Sequence, residues 1–152
     1  MHKTYMRRIS AVAVAALTVG LTVGVVGTLS ASAKKPPKPK MVLSASKDLV
    51  NKQVIQVSLS NMTPGDEIYI LECVIGETST TGSGCNIAGD TGPFKVGTGG
   101  TVGPENFTVV TGPIGTQGGT CGTSKKDFKK CDVSAGDAAG GDAVADKIQF
   151  VK

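Results

Sequence analysis

The sequence predicts an all-β domain, an antiparallel sandwich stapled by two disulfides, and three observations predict it. The apolar residues beyond position 40 fall in short, β-branched runs, several of them alternating with the period of a half-buried strand. Between the runs lie glycine clusters (Gly82/Gly84, Gly97/Gly99/Gly100, Gly118/Gly119, Gly140/Gly141) that punctuate the chain with turns. Four cysteines, Cys73, Cys85, Cys121 and Cys131, occupy the same region. An even count in a small exported domain reads as a disulfide framework.

Export is predicted by the first residues. Met1 to Arg8 carries Lys3, Arg7 and Arg8 and no acid, Ile9 to Leu29 is uncharged, and Ala31-Ser32-Ala33 offers a small-x-small cleavage site. That order is the signature of a secretory signal peptide, with cleavage expected after Ala33. The uncharged stretch exceeds the about 7 to 15 residues usual for such a segment, and Gly20 and Gly24 stand at GxxxG spacing, so an N-terminal anchor at the outer face of the membrane is the alternative. The next segment holds Lys34, Lys35, Lys38 and Lys40 among three prolines, and is expected to be an extended tether able to touch cell wall or another anionic surface. The organisation is then a signal peptide over 1–33, a Lys/Pro-rich leader over 34–41 and one sandwich domain over 42–152. From Met41 onward there are 9 Lys, no Arg and 12 Asp or Glu, a net charge of 9 − 12 = −3. A mildly acidic domain is a poor match for direct nucleic-acid binding.

Along the domain the strands are expected at 41–45, 54–59, 67–73, 94–96, 106–110, 131–134 and 147–151. In the second, Ile55, Val57 and Leu59 share one face. The third follows Pro64-Gly65 and is apolar on both faces, as a central strand should be. Ala138, Ala139, Ala143 and Ala145 favour helix, but Gly136, Gly140 and Gly141 oppose it, so no more than a turn is expected there. Of the three connectivities open to four cysteines, sequential pairing is preferred because Cys73 to Cys85 and Cys121 to Cys131 each close a short loop of Gly, Ser, Thr or Lys.

Residue types argue against catalysis. The single histidine, His2, lies in the signal segment, which leaves any Ser or Cys nucleophile of the domain without its usual base. Glu67, Glu72 and Glu77 read as solvated acids at a strand edge, and no Trp is present to stack on a sugar. A metal site is not expected: there is no CxxC, and Asp137, Asp142 and Asp146 match no EF-hand spacing and read as turn residues. Lys125, Lys126, Lys129 and Lys130 flank Asp127 and Phe128 inside the second cysteine loop, the basic patch of the domain, where an acidic partner could dock.

With these elements in place the chain resembles the neocarzinostatin family, secreted actinobacterial apoproteins that carry enediyne chromophores. The resemblance begins at Val42-Leu43-Ser44 and Leu49, and runs through Val54-Ile55-Gln56-Val57 and Gly65 to Cys73. It resumes at Cys85-Asn86 and Phe107-Thr108-Val109, and ends with Cys121, Cys131-Asp132-Val133, Asp137-Ala138-Ala139-Gly140 and Ile148-Gln149-Phe150. It implies an immunoglobulin-like sandwich of seven antiparallel strands with a small β-ribbon beside it, and disulfides Cys73–Cys85 and Cys121–Cys131. It also implies a cleft between barrel and ribbon lined by Ile75, Phe94, Asp132, Gly136 and Asp137. The cargo it implies is a non-covalent aromatic chromophore with antibiotic action, so DNA would be reached only through the cargo and the protein would act as a monomeric, non-enzymatic carrier. Two departures weaken the ligand side of the likeness. Ile75 stands where an aromatic is expected, and segment 111–120 has no ring. Each missing ring would forfeit about 0.5 to 1.5 kcal/mol of stacking. The rival reading is therefore a surface-interaction module that keeps the fold with a vestigial cleft.

Overall fold

A computed structural model describes residues 35–76, 83–116 and 119–151. The signal segment, Lys34 and Glu77 lie outside the described residues. The described chain forms nine strands: β1 (Lys40–Leu43), β2 (Val54–Ser60), β3 (Glu67–Val74), β4 (Thr91–Lys95), β5 (Val102–Thr108), β6 (Gly112–Ile114), β7 (Gly119–Cys121), β8 (Cys131–Asp137) and β9 (Ala143–Ile148). A short 3-10 turn at Ile87–Gly89 precedes β4. One sheet has the order β1-β2-β5, the second β4-β3-β8-β9, and β6-β7 form a separate ribbon; all pairings between strands are antiparallel. Seven strands in two sheets with a ribbon beside them is the architecture the resemblance implied.

The core lies between the two sheets. In β2, Ile55, Val57 and Leu59 are buried while Val54 and Gln56 are exposed, the alternation read in the sequence. They meet Ile68 and Ile70 of β3, Val133 and Ala135 of β8 and Phe107 of β5 in one apolar cluster. Leu49 and Phe150 close one end of it through a short parallel bridge. β3 is central, as expected: its other face carries Tyr69, Leu71 and Cys73, which pack with Cys85 in a second, smaller cluster. β8 is buried at every position, and the small residues Ser134, Ala135 and Gly136 let both of its faces be covered.

Several strand boundaries differ from the sequence reading, each for a physical reason. β4 and β5 begin earlier than expected, because they include Gly92-Pro93 and Gly103-Pro104, a composition that masks a strand. Both are edge strands, where a proline deprives no ladder of a hydrogen bond. Gly103 sits opposite a register shift in β2, at a φ of 86°, and a side chain there would strike the Val57 carbonyl. β9 occupies 143–148 rather than 147–151; Ala143, Ala145, Asp146 and Lys147 are exposed on an edge strand, so no alternation betrays it. Residues 138–142 before it form a turn, as the glycines required. Met41, the first residue of the expected strand, pairs with Leu59, and Lys40 of the leader already pairs with Ser60 as the first residue of β1.

Both disulfides are sequential. Cys73–Cys85 pins the segment before the 3-10 turn back onto β3, and Cys121–Cys131 joins the ribbon to β8. Ile114 of the ribbon is buried in the main core, so the ribbon is anchored by an apolar side chain as well as by the bridge.

Candidate ligand cleft

The outer face of the four-stranded sheet is built from the alternate residues of β3 and β8. Register places Tyr69 opposite Gly136, Leu71 opposite Ser134 and Cys73 opposite Asp132. Where Tyr69 faces Gly136 the neighbouring strand has no side chain, and the sheet is left with a hollow. Two adjoining cavities of ≈ 400 and ≈ 160 Å³ share Tyr69, Asp137 and Ala138. Asp66 and Glu67 border the larger; Leu71, Ile87 and Asp90 border the smaller. The walls combine an aromatic ring and aliphatic side chains with a few carboxylates at the rim, the usual composition of a small-molecule site.

The rim at Asp137 is rigid because its carboxylate organises the turn behind it. Its Oδ1 accepts from the Gly141 N–H at 3.1 Å and its Oδ2 from the Asp142 N–H at 2.7 Å. Asp142 in turn accepts from the Thr63 N–H, which ties the β8–β9 turn to the corner between β2 and β3. The backbone donors, Asp142 N–H first, hold the Asp137 carboxyl below its ordinary range, so it stays a carboxylate. Two of the three acids weighed for a cation therefore already have backbone partners, while Asp146 is exposed on β9.

No family model matches the chain, and no curated protein sequence matches it. Among solved structures, macromomycin matches with a TM-score of 0.55 at 22% identity, over 74% of this chain and 99% of macromomycin. The fold is the neocarzinostatin-like sandwich. Apokedarcidin matches at 22% identity over 76% of this chain and 100% of its own, with a TM-score of 0.47.

Within the neocarzinostatin-like frame the five residues expected in the cleft separate. Gly136 and Asp137 line the Tyr69 hollow. Ile75, 39% exposed, lies beyond the end of β3 beside a different cavity of ≈ 280 Å³. Phe94 pairs with Ile68 and packs against the main core, so its ring is directed between the sheets. Asp132 is buried on the outer face between Cys73 and Lys147, its register partners, and its Oδ1 has no hydrogen-bond partner among the described residues. Burial pushes its carboxyl up to about 6 against the opposing pull of Lys147.

Two residues carry more than the sequence suggested. Tyr69, read only as part of a strand, supplies the ring shared by both hollows. Glu72, expected as a solvated edge acid, is instead 1% exposed in the central strand. Its Oε2 accepts from the Val110 N–H at 2.7 Å, its Oε1 has no partner among the described residues, and burial pushes it up to about 7. The signal was present: Glu72 has the parity of Ile68 and Ile70, which in a period-two strand puts it on the core side.

Proposed function

We propose that the chain is a secreted, non-enzymatic carrier that holds a small apolar or aromatic molecule non-covalently in the Tyr69 hollow. The first 33 residues direct export, and the remainder acts as a monomer. The observation that carries this reading is the pair of adjoining cavities on the outer sheet face, whose shared wall is Tyr69, Asp137 and Ala138. The larger, at ≈ 400 Å³, lies in the range of about 300 to 1,000 Å³ in which small ligands bind, and the smaller extends it. Tyr69 offers from β3 the ring that the ribbon lacks. Neocarzinostatin-like apoproteins suggest the cargo class, an enediyne-type antibiotic, and any DNA contact would belong to that cargo.

The test is the intact mass of the protein exported by its native host, under native and denaturing conditions. A native mass exceeding the denatured, twice-oxidised 34–152 chain by the mass of a small organic molecule is the expected result. Equal masses, together with no thermal stabilisation by added flat aromatics, would defeat the carrier reading. The second reading, adhesion to cell wall or another anionic surface, is favoured by the exposed side chains of Lys35, Lys38 and Lys40. It requires retention on wall material that is lost at high salt.

A further inference from the structure

We infer that the hollow beyond the end of β3 is a second binding site, separate from the Tyr69 hollow, for an organic phosphate ester. Three lysines from segments distant in the sequence meet around this one cavity of ≈ 280 Å³: Lys47 from the turn after β1, Lys129 from the second disulfide loop and Lys147 from β9. The cavity shares no lining residue with the Tyr69 hollow. The domain from Met41 onward holds only 9 Lys against 12 acids, so gathering three cations at one place runs against its overall charge.

The arrangement is held by backbone. Gln149 N–H donates to the Ser46 carbonyl at 2.9 Å, Ile75 N–H to the Lys130 carbonyl at 2.8 Å and Phe150 N–H to the Phe128 carbonyl at 3.0 Å. These bonds join the three segments that bear the lysines. The Lys129 ammonium lies 5.3 Å from the centre of the Phe128 ring, which further fixes that side chain. No Asp or Glu is among the residues lining the cavity, and Asp132, opposite Lys147, is buried in the sheet.

The ligand chemistry follows from the lining. A phosphate monoester carries about −1.5 to −2 charges and three strong acceptor oxygens. Lysines bind such a group as point charges, and the Ser46 hydroxyl and Gln149 amide add neutral donors. Exposed Ile75 gives the organic part of the ester an apolar seat.

The test is a 1H–15N NMR titration of the full chain with phenyl phosphate at low salt, with inorganic phosphate and poly(glycerol phosphate) as parallel probes. Expected are shifts confined to the amides of Ser46, Ile75, Lys129, Lys147 and Gln149, with phenyl phosphate bound more tightly than inorganic phosphate. The double variant K129Q/K147Q should lose about tenfold in affinity, while K125Q/K126Q, with the same change in charge, should lose less than about twofold. Equal losses in the two variants would overturn the site in favour of diffuse attraction, and equal affinity for phenyl and inorganic phosphate would overturn the role of Ile75. The polymer is a phosphodiester with one charge per phosphate, so its displacing phenyl phosphate as well as a monoester does would overturn the monoester assignment in favour of general polyanion binding, whereas failure to displace supports the small ester.

Discussion

Glu72 and Asp132 in the four-stranded sheet are buried to 1% and 5% exposure, and Asp127 in the second disulfide loop and Asp137 at the last residue of β8, beside the β8–β9 turn, to 7% each. As whole residues the two pairs have little solvent access, yet their carboxyls move in opposite directions: desolvation by burial is the leading influence on Glu72 and Asp132, and hydrogen bonds are the leading influence on Asp127 and Asp137. Asp127 accepts from Thr123 Oγ1 at 2.6 Å, Ser124 N–H at 2.6 Å and Thr120 Oγ1 at 3.0 Å, and Asp137 accepts from the backbone of its own turn. Among the described residues Glu72 accepts from the Val110 N–H, and each sheet acid leaves one oxygen unpartnered. A turn exposes backbone N–H groups that need an acceptor, whereas within a sheet the ladder has already taken them. Val110 can serve Glu72 because it lies just beyond the end of β5.

The largest expected effect comes from Glu72. Its carboxyl titrates at an ordinary 4.5 when unfolded and at about 7 when folded. Between those values the native state binds the extra proton, so stability falls as pH rises from 4.5 through 7 and is lowest above it. Glu72→Gln keeps an acceptor for Val110 N–H and removes the buried charge. It should stabilise the domain by about 3 kcal/mol at pH 8 and leave it nearly unchanged at pH 4. Chemical denaturation at the two pH values measures this. An equal effect at both would mean that packing, and not ionisation, distinguishes the sheet acids.

Asp127 tests the other half with the opposite sign. Hydrogen bonds, that from Thr123 first, lower its carboxyl from 3.8 to about 2. Its contribution is present above 3.8 and is lost as pH falls through 2. Asp127→Ala should lower the melting temperature at pH 7 and speed amide exchange at Ser124 and Lys130, while flattening the acid limb of the stability profile. Unaltered exchange in the 121–131 loop would show that the disulfide holds it without the carboxylate.

What was legible in the sequence follows the same division. Strands with a regular inside-outside alternation, such as β2, and the doubly apolar β3 could be read from residue order because side-chain parity encodes burial. β4, β5 and β9 blurred because edge strands tolerate proline, glycine and exposed polar residues, which look like loop. Of the residues the resemblance pointed to, Gly136 and Asp137 lie at the Tyr69 hollow while Ile75 borders another cavity and Phe94 packs on the core, since the cavity a side chain enters depends on strand parity and on neighbours far away in sequence. The meeting of Lys47, Lys129 and Lys147 is of that kind, for no local pattern announces three lysines drawn from three separate segments. Asp127 and Phe128 were visible as part of a lysine-rich loop, but the hydrogen bonds that make Asp127 its anchor come from Thr120, Thr123 and Ser124, residues that looked like filler.

The smallest effect is the most specific to the sheet. Lys147 on β9 lies opposite Asp132 on β8 and pulls its carboxyl down, while burial, the larger influence, pushes it up to about 6. Lys147→Gln removes only the attraction, so Asp132 should titrate higher still, as followed by its side-chain carboxyl 13C shift. Because Lys147 is exposed, the accompanying loss of stability should be no more than about 1 kcal/mol, appearing above the pH at which Asp132 ionises and vanishing at pH 4. An unchanged titration would mean that the Asp132 charge does not sense the β9 edge. A cation opposite a sheet acid would then be no substitute for the hydrogen-bond donors that Asp127 and Asp137 receive, and burial would stand unopposed at Asp132.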